Sequence, residues 1–259
     1  MAKNHRTQEP FWKYGQENSV RWVAAQLAIP GRKGVLVADE VGMGKTRVVM
    51  AAILAVLESG GTVAAVVPPG LLYQWKKEWD EFLNSIGNAA NKEYAPIILR
   101  SYNSLLEKTD LEFPLSANKG KWLLISHQFG PPRLAVNSHS WRYNLPIFVK
   151  AQQQYDQGKR KNSHWQYVKN TYDNYDCLED PVEDCGTSVS CTGCELGVLK
   201  KAARFLRTED RWRLFNDIPE RALESYQSKE IFKNWFSGEN GKAMLGELLG
   251  PIDLIVIDE

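Results

Sequence analysis

The sequence lacks the features that mark membrane proteins, secreted proteins and uniformly basic nucleic-acid-binding proteins. No apolar run approaches the ~20 residues that are needed to cross a bilayer. The opening stretch, "MAKNHRTQEPFWKYG", has no apolar core of the kind found in signal peptides, so we expect a cytoplasmic protein. The formal net charge is only +1 over 259 residues, so any binding of nucleic acid must come from local patches.

Cysteine is scarce, and all of it lies within residues 177–194. Clustering of this kind favours a local metal site over a scattered disulfide framework. The spacing C-x7-C-x5-C-x2-C would offer four thiolates for a structural Zn²⁺ ion, from Cys177, Cys185, Cys191 and Cys194. An iron–sulfur cluster would also take four thiolates. Because the first spacing is irregular, a third interpretation without metal stays open.

Short apolar runs alternate with amphipathic segments through the first half of the chain. Helices are predicted over 16–29, 45–60 and 70–83, where apolar residues recur at helical spacing. The predicted strands are short apolar runs of the kind that buried parallel strands show, at 34–39, 62–68, 96–101, 121–128 and 254–257. The alternation predicts an α/β fold with a parallel sheet that is flanked by helices.

This rhythm stops between residues 129 and 245, which are richer in polar and aromatic residues. We therefore predict one α/β domain formed by residues 1–128 plus 246–259. Residues 129–245 are interpreted as a long, mostly helical or irregular insertion that carries the cysteines. Within it, residues 200–215 predict an amphipathic helix with a basic face, which would dock onto the domain or, second, contact DNA.

A basic stretch of the insertion, "KRKNSHWQYVKN" at 159–170, interleaves charge with aromatic rings. Lys159, Arg160 and Lys161 next to Trp165 would suit a nucleic-acid strand. The favoured alternative is a solvated helix with Trp165 packed inward.

The stretch "ADEVGMGKT", residues 38–46, predicts a phosphate site of the P-loop (Walker A) type. A tight loop between a buried strand and a helix points backbone N–H groups at one spot, which suits phosphate oxygens. Gly42 and Gly44 would let the backbone approach the phosphates. Lys45 would reach the β- and γ-phosphates, and Thr46 would bind Mg²⁺.

The second half of the predicted site is the segment "LIVIDE" at 254–259. A phosphate loop needs a carboxylate on a neighbouring strand to hold Mg²⁺ and another to orient the attacking water. Asp258 is predicted for the metal and Glu259 for the general base. Taken alone, an Asp-Glu pair after an apolar strand is more often a solvated turn.

These motifs resemble the Snf2-like branch of the superfamily 2 helicases and translocases. In that family D-E-x-G-x-G-K-T replaces the first glycine of the loop by Asp, as Asp39 does here. The stretch "YGQENSVRW" is similar to the family's adenine-recognition motif, which implies that Gln16 selects the base. The resemblance implies a RecA-like lobe whose loop, with Asp39, Gly42, Met43 and Gly44, surrounds the phosphates of ATP.

Two further motifs extend the resemblance. "VVPPGLLYQWKKEW" is similar to motif Ia, and "LLISHQ" to motif Ib, although His127 replaces an aromatic residue. The resemblance implies that Pro69, Gly70, Ser126 and His127 lie beside a nucleic-acid backbone, in this branch that of double-stranded DNA. A hydroxyl at a strand end can donate to a phosphate oxygen, although Ser126 as a local cap is an equal alternative.

The resemblance implies an ATP-dependent DNA helicase or translocase, in which Lys45, Asp258 and Glu259 serve ATP hydrolysis. The family's second RecA-like lobe, which supplies arginines to the γ-phosphate, would follow Glu259. An arginine finger contributes ~10³–10⁵ in rate, so we expect the 259 residues alone to hydrolyse ATP poorly. The alternative is an ATP-gated interaction module that recruits a protein partner through its insertion.

Overall fold

The structure, a computed structural model, describes residues 15–31, 34–38, 44–87, 94–106, 112–117, 122–129, 145–146, 149–150, 153, 201–218 and 234–258. Several predicted site residues lie outside these ranges, and their roles stay predictions. They are the loop residues Asp39, Gly42 and Met43, the general base Glu259, the basic residues Lys159, Arg160 and Lys161, and the cysteines Cys177, Cys185, Cys191 and Cys194.

A four-stranded parallel sheet with flanking helices confirms the predicted α/β class. Its strands are β1 (Val63–Val67), β2 (Pro96–Leu99), β3 (Trp122–Ser126) and β4 (Leu254–Ile257), and their order in the sheet is β2-β3-β1-β4. β1 and β4 pair in parallel from Val63 opposite Leu254 to Val66 opposite Ile257. β4, the last described strand along the chain, therefore lies beside β1, the first.

Helix α2 (Lys45–Glu58) packs against this sheet and contacts two other helices. It packs on β1 and β4 and also contacts α1 (Gln16–Leu27) and α3 (Leu72–Ser85). Its buried apolar residues recur at helical spacing, as an amphipathic helix requires: Val48, Met50, Ile53, Leu54 and Leu57. The helix ends before Gly60, whose φ of 82° is the left-handed conformation that closes many helices.

The buried face of α3 carries an aromatic cluster. Trp79 lies 5.0 Å from the ring of Trp122 on β3, edge to face, and 5.6 Å from Phe82. The indole N–H groups of Trp79 and Trp122 both donate to the carbonyl oxygen of Tyr94, at 2.8 and 3.0 Å. Trp75 and Trp79 are both buried on this face.

The predicted strand at 34–39 is wrong for the residues that are described. Residues 34–38 form neither helix nor strand, and Leu36 is 85% exposed. The apolar run indicates a preference for burial, but a strand also needs a neighbour that accepts its ladder hydrogen bonds. That neighbour is not encoded in the run itself.

The chain divides into two compact units. One unit contains residues 1–97, 119–125 and 252–259, and the other contains 98–118 and 126–251. The predicted division at 129 and 245 stays a prediction. None of the helices in the described ranges has both the length and the hydropathy that a membrane span requires.

Apart from the last residues of β2 and β3, the regular secondary structure described in the second unit is helical. It contains α4 (Tyr102–Leu106), helical residues 201–206, α5 (Glu209–Trp212), helical residues 234–237 and α6 (Glu239–Leu249), with short 3-10 turns at Leu115–Ala117 and Arg213–Phe215. Aromatic contacts form its core, with ring centroids of Tyr102 and Phe236 5.2 Å apart and those of Phe215 and Trp235 5.6 Å apart.

The single helix predicted over 200–215 is interrupted. Helical residues 201–206 end at a turn, and α5 begins after Thr208, whose backbone is extended (φ −71°, ψ 148°). Thr208 makes no capping hydrogen bond to α5, and its Oγ1 instead accepts a guanidinium N–H of Arg211 at 2.8 Å. The predicted apolar face is still present, because Ala202, Ala203, Leu206 and Phe215 are buried.

Candidate functional site

The first residues of α2 lie toward the edge of the sheet at which β1 and β4 end. Residues 59–62 make a short link from the end of α2 to the start of β1, and α2 packs against both β1 and β4. A helix joined so closely to the strand that it covers must run antiparallel to it. Lys45 and Thr46 therefore lie toward the same edge as Asp258, and the roles predicted for them stay predictions.

Gly44 precedes this helix in a conformation that favours glycine. Its φ is 83° and its ψ is 31°, in the left-handed region where a Cβ is strained. A Cβ at this position would also collide with the side-chain amide nitrogen of Gln16. The backbone conformation thus favours glycine here, and a larger residue would also displace the amide of Gln16.

Gln16, the residue predicted to select adenine, is the first residue of α1 and is only 5% exposed. Its amide packs against Gly44 at the end of the predicted phosphate loop, so α1 and the loop meet through this contact. The pairing brings two of the sequence-predicted residues together. Recognition of the base itself stays a prediction.

Backbone and side-chain hydrogen bonds hold Asp258 at the end of β4. Its N–H donates to the carbonyl oxygen of Val66 at 3.0 Å, so it continues the ladder with β1. Its half-buried carboxylate accepts the indole N–H of Trp75 through Oδ2 at 2.8 Å. The carboxylate is therefore fixed by a helix as well as by its strand.

The other end of β4 is also fixed. The N–H of Thr62 donates to Oδ2 of Asp253 at 2.8 Å, and the N–H of Asp253 donates back to the carbonyl oxygen of Thr62 at 2.9 Å. A strand that is anchored at both ends cannot slip by one residue, which would turn its side chains to opposite faces. The register that presents Asp258 is thereby set.

The donors at this edge fit Mg²⁺ bound to a phosphate group. Mg²⁺ prefers carboxylate and hydroxyl oxygens, and in nucleotide sites it takes only one or two carboxylates beside the phosphates. Asp258 supplies a carboxylate, and Thr46 supplies a hydroxyl in the first turn of α2, whose N-terminus favours anions. Within the described ranges, no group of three or more His, Cys, Asp and Glu residues could hold a metal, and the four cysteines lie outside those ranges.

The predicted motif Ia residues form an exposed turn that directly follows β1. Pro69 and Gly70 belong to the 3-10 turn Pro69–Leu71 and are both exposed. On the next helix Lys76 pairs with Asp80 at 2.6 Å and Lys77 with Glu81 at 3.7 Å. The turn is accessible to a ligand, and its predicted contact with nucleic acid stays a prediction.

The predicted motif Ib residues occupy the end of β3. Ser126 is buried, and its Oγ accepts the N–H of Gln128 at 3.1 Å, while His127 is exposed in the turn. The hydroxyl of Ser126 therefore has a local structural contact. Its predicted phosphate contact, and that of His127, stay predictions.

Trp75 is the residue whose role was missed by sequence reasoning. Its place on the apolar stripe of α3 indicates burial, and it is indeed buried. Nothing in the spacing indicates a hydrogen bond to a carboxylate that is 183 positions away along the chain. Only the folded arrangement of α3 and β4 reveals it.

Residues 10–128 match the model of the family described as the type III restriction enzyme, res subunit. The match covers a little less than half of the chain. It is a match to the N-terminal lobe domain of superfamily 2 helicases and indicates an ATP-binding, helicase-like lobe. No curated protein and no solved structure matches the chain.

Proposed function

We propose that this chain carries the ATP-binding lobe of a DNA-dependent ATPase of the Snf2-like kind. The observation that carries the proposal is the placement of the start of α2 and of Asp258 at one edge of a parallel sheet. Ligands of open α/β sheets bind at this edge, outside the carboxyl ends of the strands. The match of residues 10–128 to a helicase lobe domain supports the same class.

In this proposal the nucleotide phosphates lie over the N-terminus of α2. The ammonium group of Lys45 binds the β- and γ-phosphates, and backbone N–H groups of the first turn donate to phosphate oxygens. Thr46 and Asp258 would hold Mg²⁺, which neutralises charge that develops on the transferred phosphoryl group. Gln16 would recognise adenine, and Glu259 would orient and deprotonate the attacking water.

The Snf2-like assignment and double-stranded DNA as the partner rest on sequence features. These are the D-E-x-G-x-G-K-T form of the loop and the motif Ia resemblance around Pro69 and Gly70. The exposure of that turn supports it as a contact for the DNA backbone, because phosphate contacts require accessible groups.

ATP binding by the 259-residue chain tests the core of the proposal. Lys45→Ala should weaken binding of Mg·ATP by about 10- to 100-fold, because it removes a charge-assisted hydrogen bond. Lys77→Ala is the matched control, since Lys77 is an exposed lysine on α3 outside the proposed site. Equal affinities of wild type and Lys45→Ala in isothermal titration would contradict the nucleotide site.

ATP hydrolysis by the natural protein tests the motor. Double-stranded DNA should stimulate hydrolysis, and Lys45→Ala should abolish the stimulation. ATP binding that depends on Lys45 but is insensitive to DNA would instead favour the interaction module.

We also propose that Cys177, Cys185, Cys191 and Cys194 hold a structural zinc ion. Metal analysis of protein purified without chelator tests this proposal, and close to one equivalent of zinc is expected. Iron with sulfide would indicate a cluster instead, and protein without any transition metal would remove the proposal.

A further inference from the structure

Two tryptophans on α3, one helical turn apart, bury their indole groups and donate to different kinds of acceptor. Trp79 donates to the carbonyl oxygen of Tyr94, which Trp122 also contacts. Trp75, only 4% exposed, donates at 2.8 Å to the carboxylate of Asp258. The first bond joins parts of the core, whereas the second reaches the proposed magnesium site.

The bond from Trp75 engages one oxygen of the carboxylate. A buried indole N–H usually finds an acceptor, and a hydrogen bond to a charged group is stronger than one to a neutral group. Trp75 donates to Oδ2 of Asp258. A bond to Oδ2 restricts the rotation of the carboxylate, and Oδ1 would then be the oxygen that it presents to Mg²⁺.

We propose that Trp75 is a positioning residue for the carboxylate that holds Mg²⁺. This inference rests on the proposed ATP site and adds to it the group that orients one of its ligands. The outer partners of metal-binding side chains fix their orientation, and their removal typically costs ~10- to 100-fold in metal affinity. Trp75 touches neither nucleotide nor metal in this proposal and acts only through Asp258.

The test compares Trp75→Phe with Trp79→Phe. Both changes remove an indole N–H from the buried face of the same helix and keep an aromatic ring. The carbonyl of Tyr94 keeps its bond from Trp122 in the control, so this acceptor is not left unpaired. ATP affinity is measured by isothermal titration over a range of MgCl₂ concentrations and again in EDTA.

Trp75→Phe should raise the Mg²⁺ concentration that gives half-maximal enhancement of ATP binding by about tenfold or more. Its affinity for ATP in EDTA should equal that of wild type, and Trp79→Phe should match wild type in both conditions. A merely structural role of Trp75 would weaken ATP binding equally with and without Mg²⁺.

Asp258→Asn separates this inference from the proposed function. If wild type binds ATP without any dependence on Mg²⁺, or Asp258→Asn keeps that dependence, the proposed site itself fails. If Asp258→Asn loses the dependence while Trp75→Phe behaves like Trp79→Phe, only the positioning role is overturned. In the Asp258→Asn background, Trp75→Phe should add nothing, because the two residues act as one unit.

A measurement on the unmutated chain covers the case in which Trp75→Phe does not fold. The indole ¹⁵N–¹H resonance of Trp75 should shift when Mg²⁺ and ATP are added together, and that of Trp79 should not. A resonance of Trp75 that stays in place during saturation would overturn the inference.

Discussion

Two five-residue apolar runs of the same unit are similar in sequence and differ in burial. β1 reads VAAVV, and four of its five residues are buried between neighbouring strands and under α2. Residues 34–38 read GVLVA, belong to no strand, and leave Leu36 85% exposed. An apolar composition indicates that a segment is stabilised when it is buried. The segment becomes a buried strand only if a neighbouring strand offers it backbone hydrogen-bond partners.

β4 shows an intermediate case. It pairs with β1 on one side and lies at the end of the described sheet, where Ile255 is 61% and Ile257 67% exposed. An edge strand presents unpaired backbone groups and, here, apolar side chains as well. The same kind of sequence thus yields a central strand, an edge strand and an exposed segment in one unit.

The largest expected effect is that of a charge placed in β1. Ala65→Asp would bury an unpaired carboxylate, at a cost of several kcal/mol in a domain stabilised by only about 5–15 kcal/mol, and should remove cooperative unfolding in urea. Ala65 is fully buried. Leu36→Asp is the control at an exposed position and should change the free energy of unfolding by less than about 0.5 kcal/mol. Comparable losses of unfolding free energy in both variants would show that residues 34–38 are buried as β1 is.

Hydrogen exchange sharpens the comparison without any mutation. Amides of β1 lie in a central ladder and should exchange only through global opening. Amides of residues 35–38 form no ladder and should exchange at least about a thousandfold faster, as read by mass spectrometry or NMR. Equal protection of the two runs would mean that residues 35–38 pair in solution.

A smaller effect is expected where β1 and β4 are anchored to each other. Asp253→Ala removes the acceptor of the Thr62 N–H and should lower the free energy of unfolding by about 1 kcal/mol. Asp253→Asn keeps a side-chain oxygen and should lose less than half as much. If the alanine variant is as stable as wild type in urea titrations, the bond has no role in fixing the register.

The smallest expected effect on stability is at the exposed edge of β4. Ile257→Lys should change the free energy of unfolding by less than about 0.5 kcal/mol and should reduce self-association in light scattering, because lysine blunts an apolar edge. A loss above about 2 kcal/mol would show that this side chain is covered in solution. The edge would then resemble β1 more than residues 34–38.

Prediction from sequence succeeded for helices whose apolar residues recur at helical spacing and are buried in the structure. The stripe of α2 from Val48 to Leu57 and that of α3 from Leu72 to Leu83 predict helices that the structure contains. It failed for residues 34–38, which are apolar enough for a buried strand but whose sequence does not specify a neighbouring strand. It also failed between 200 and 215, where the extended backbone of Thr208 separates two helical segments.

The candidate site shows the same limit. Lys45, Thr46 and Asp258 were predicted from their motifs, and the packing of α2 on β1 and β4 brings them to one edge. The contact of Gln16 with Gly44 and the bond from Trp75 to Asp258 were not predicted. Both join residues that are far apart in sequence, and a motif carries no distance between such residues.

The sequence by itself determined the α/β class, the helix that follows Gly44 and the strand that ends just before Asp258, because hydrophobic periodicity and glycine conformation act within a few neighbouring residues. The tertiary structure alone decided which apolar runs became strands, which strand lies beside β1, and that the indole of Trp75 reaches Asp258. These outcomes depend on hydrogen-bond partners brought together by packing, and the choice among possible partners is made only when the whole sheet and its helices assemble.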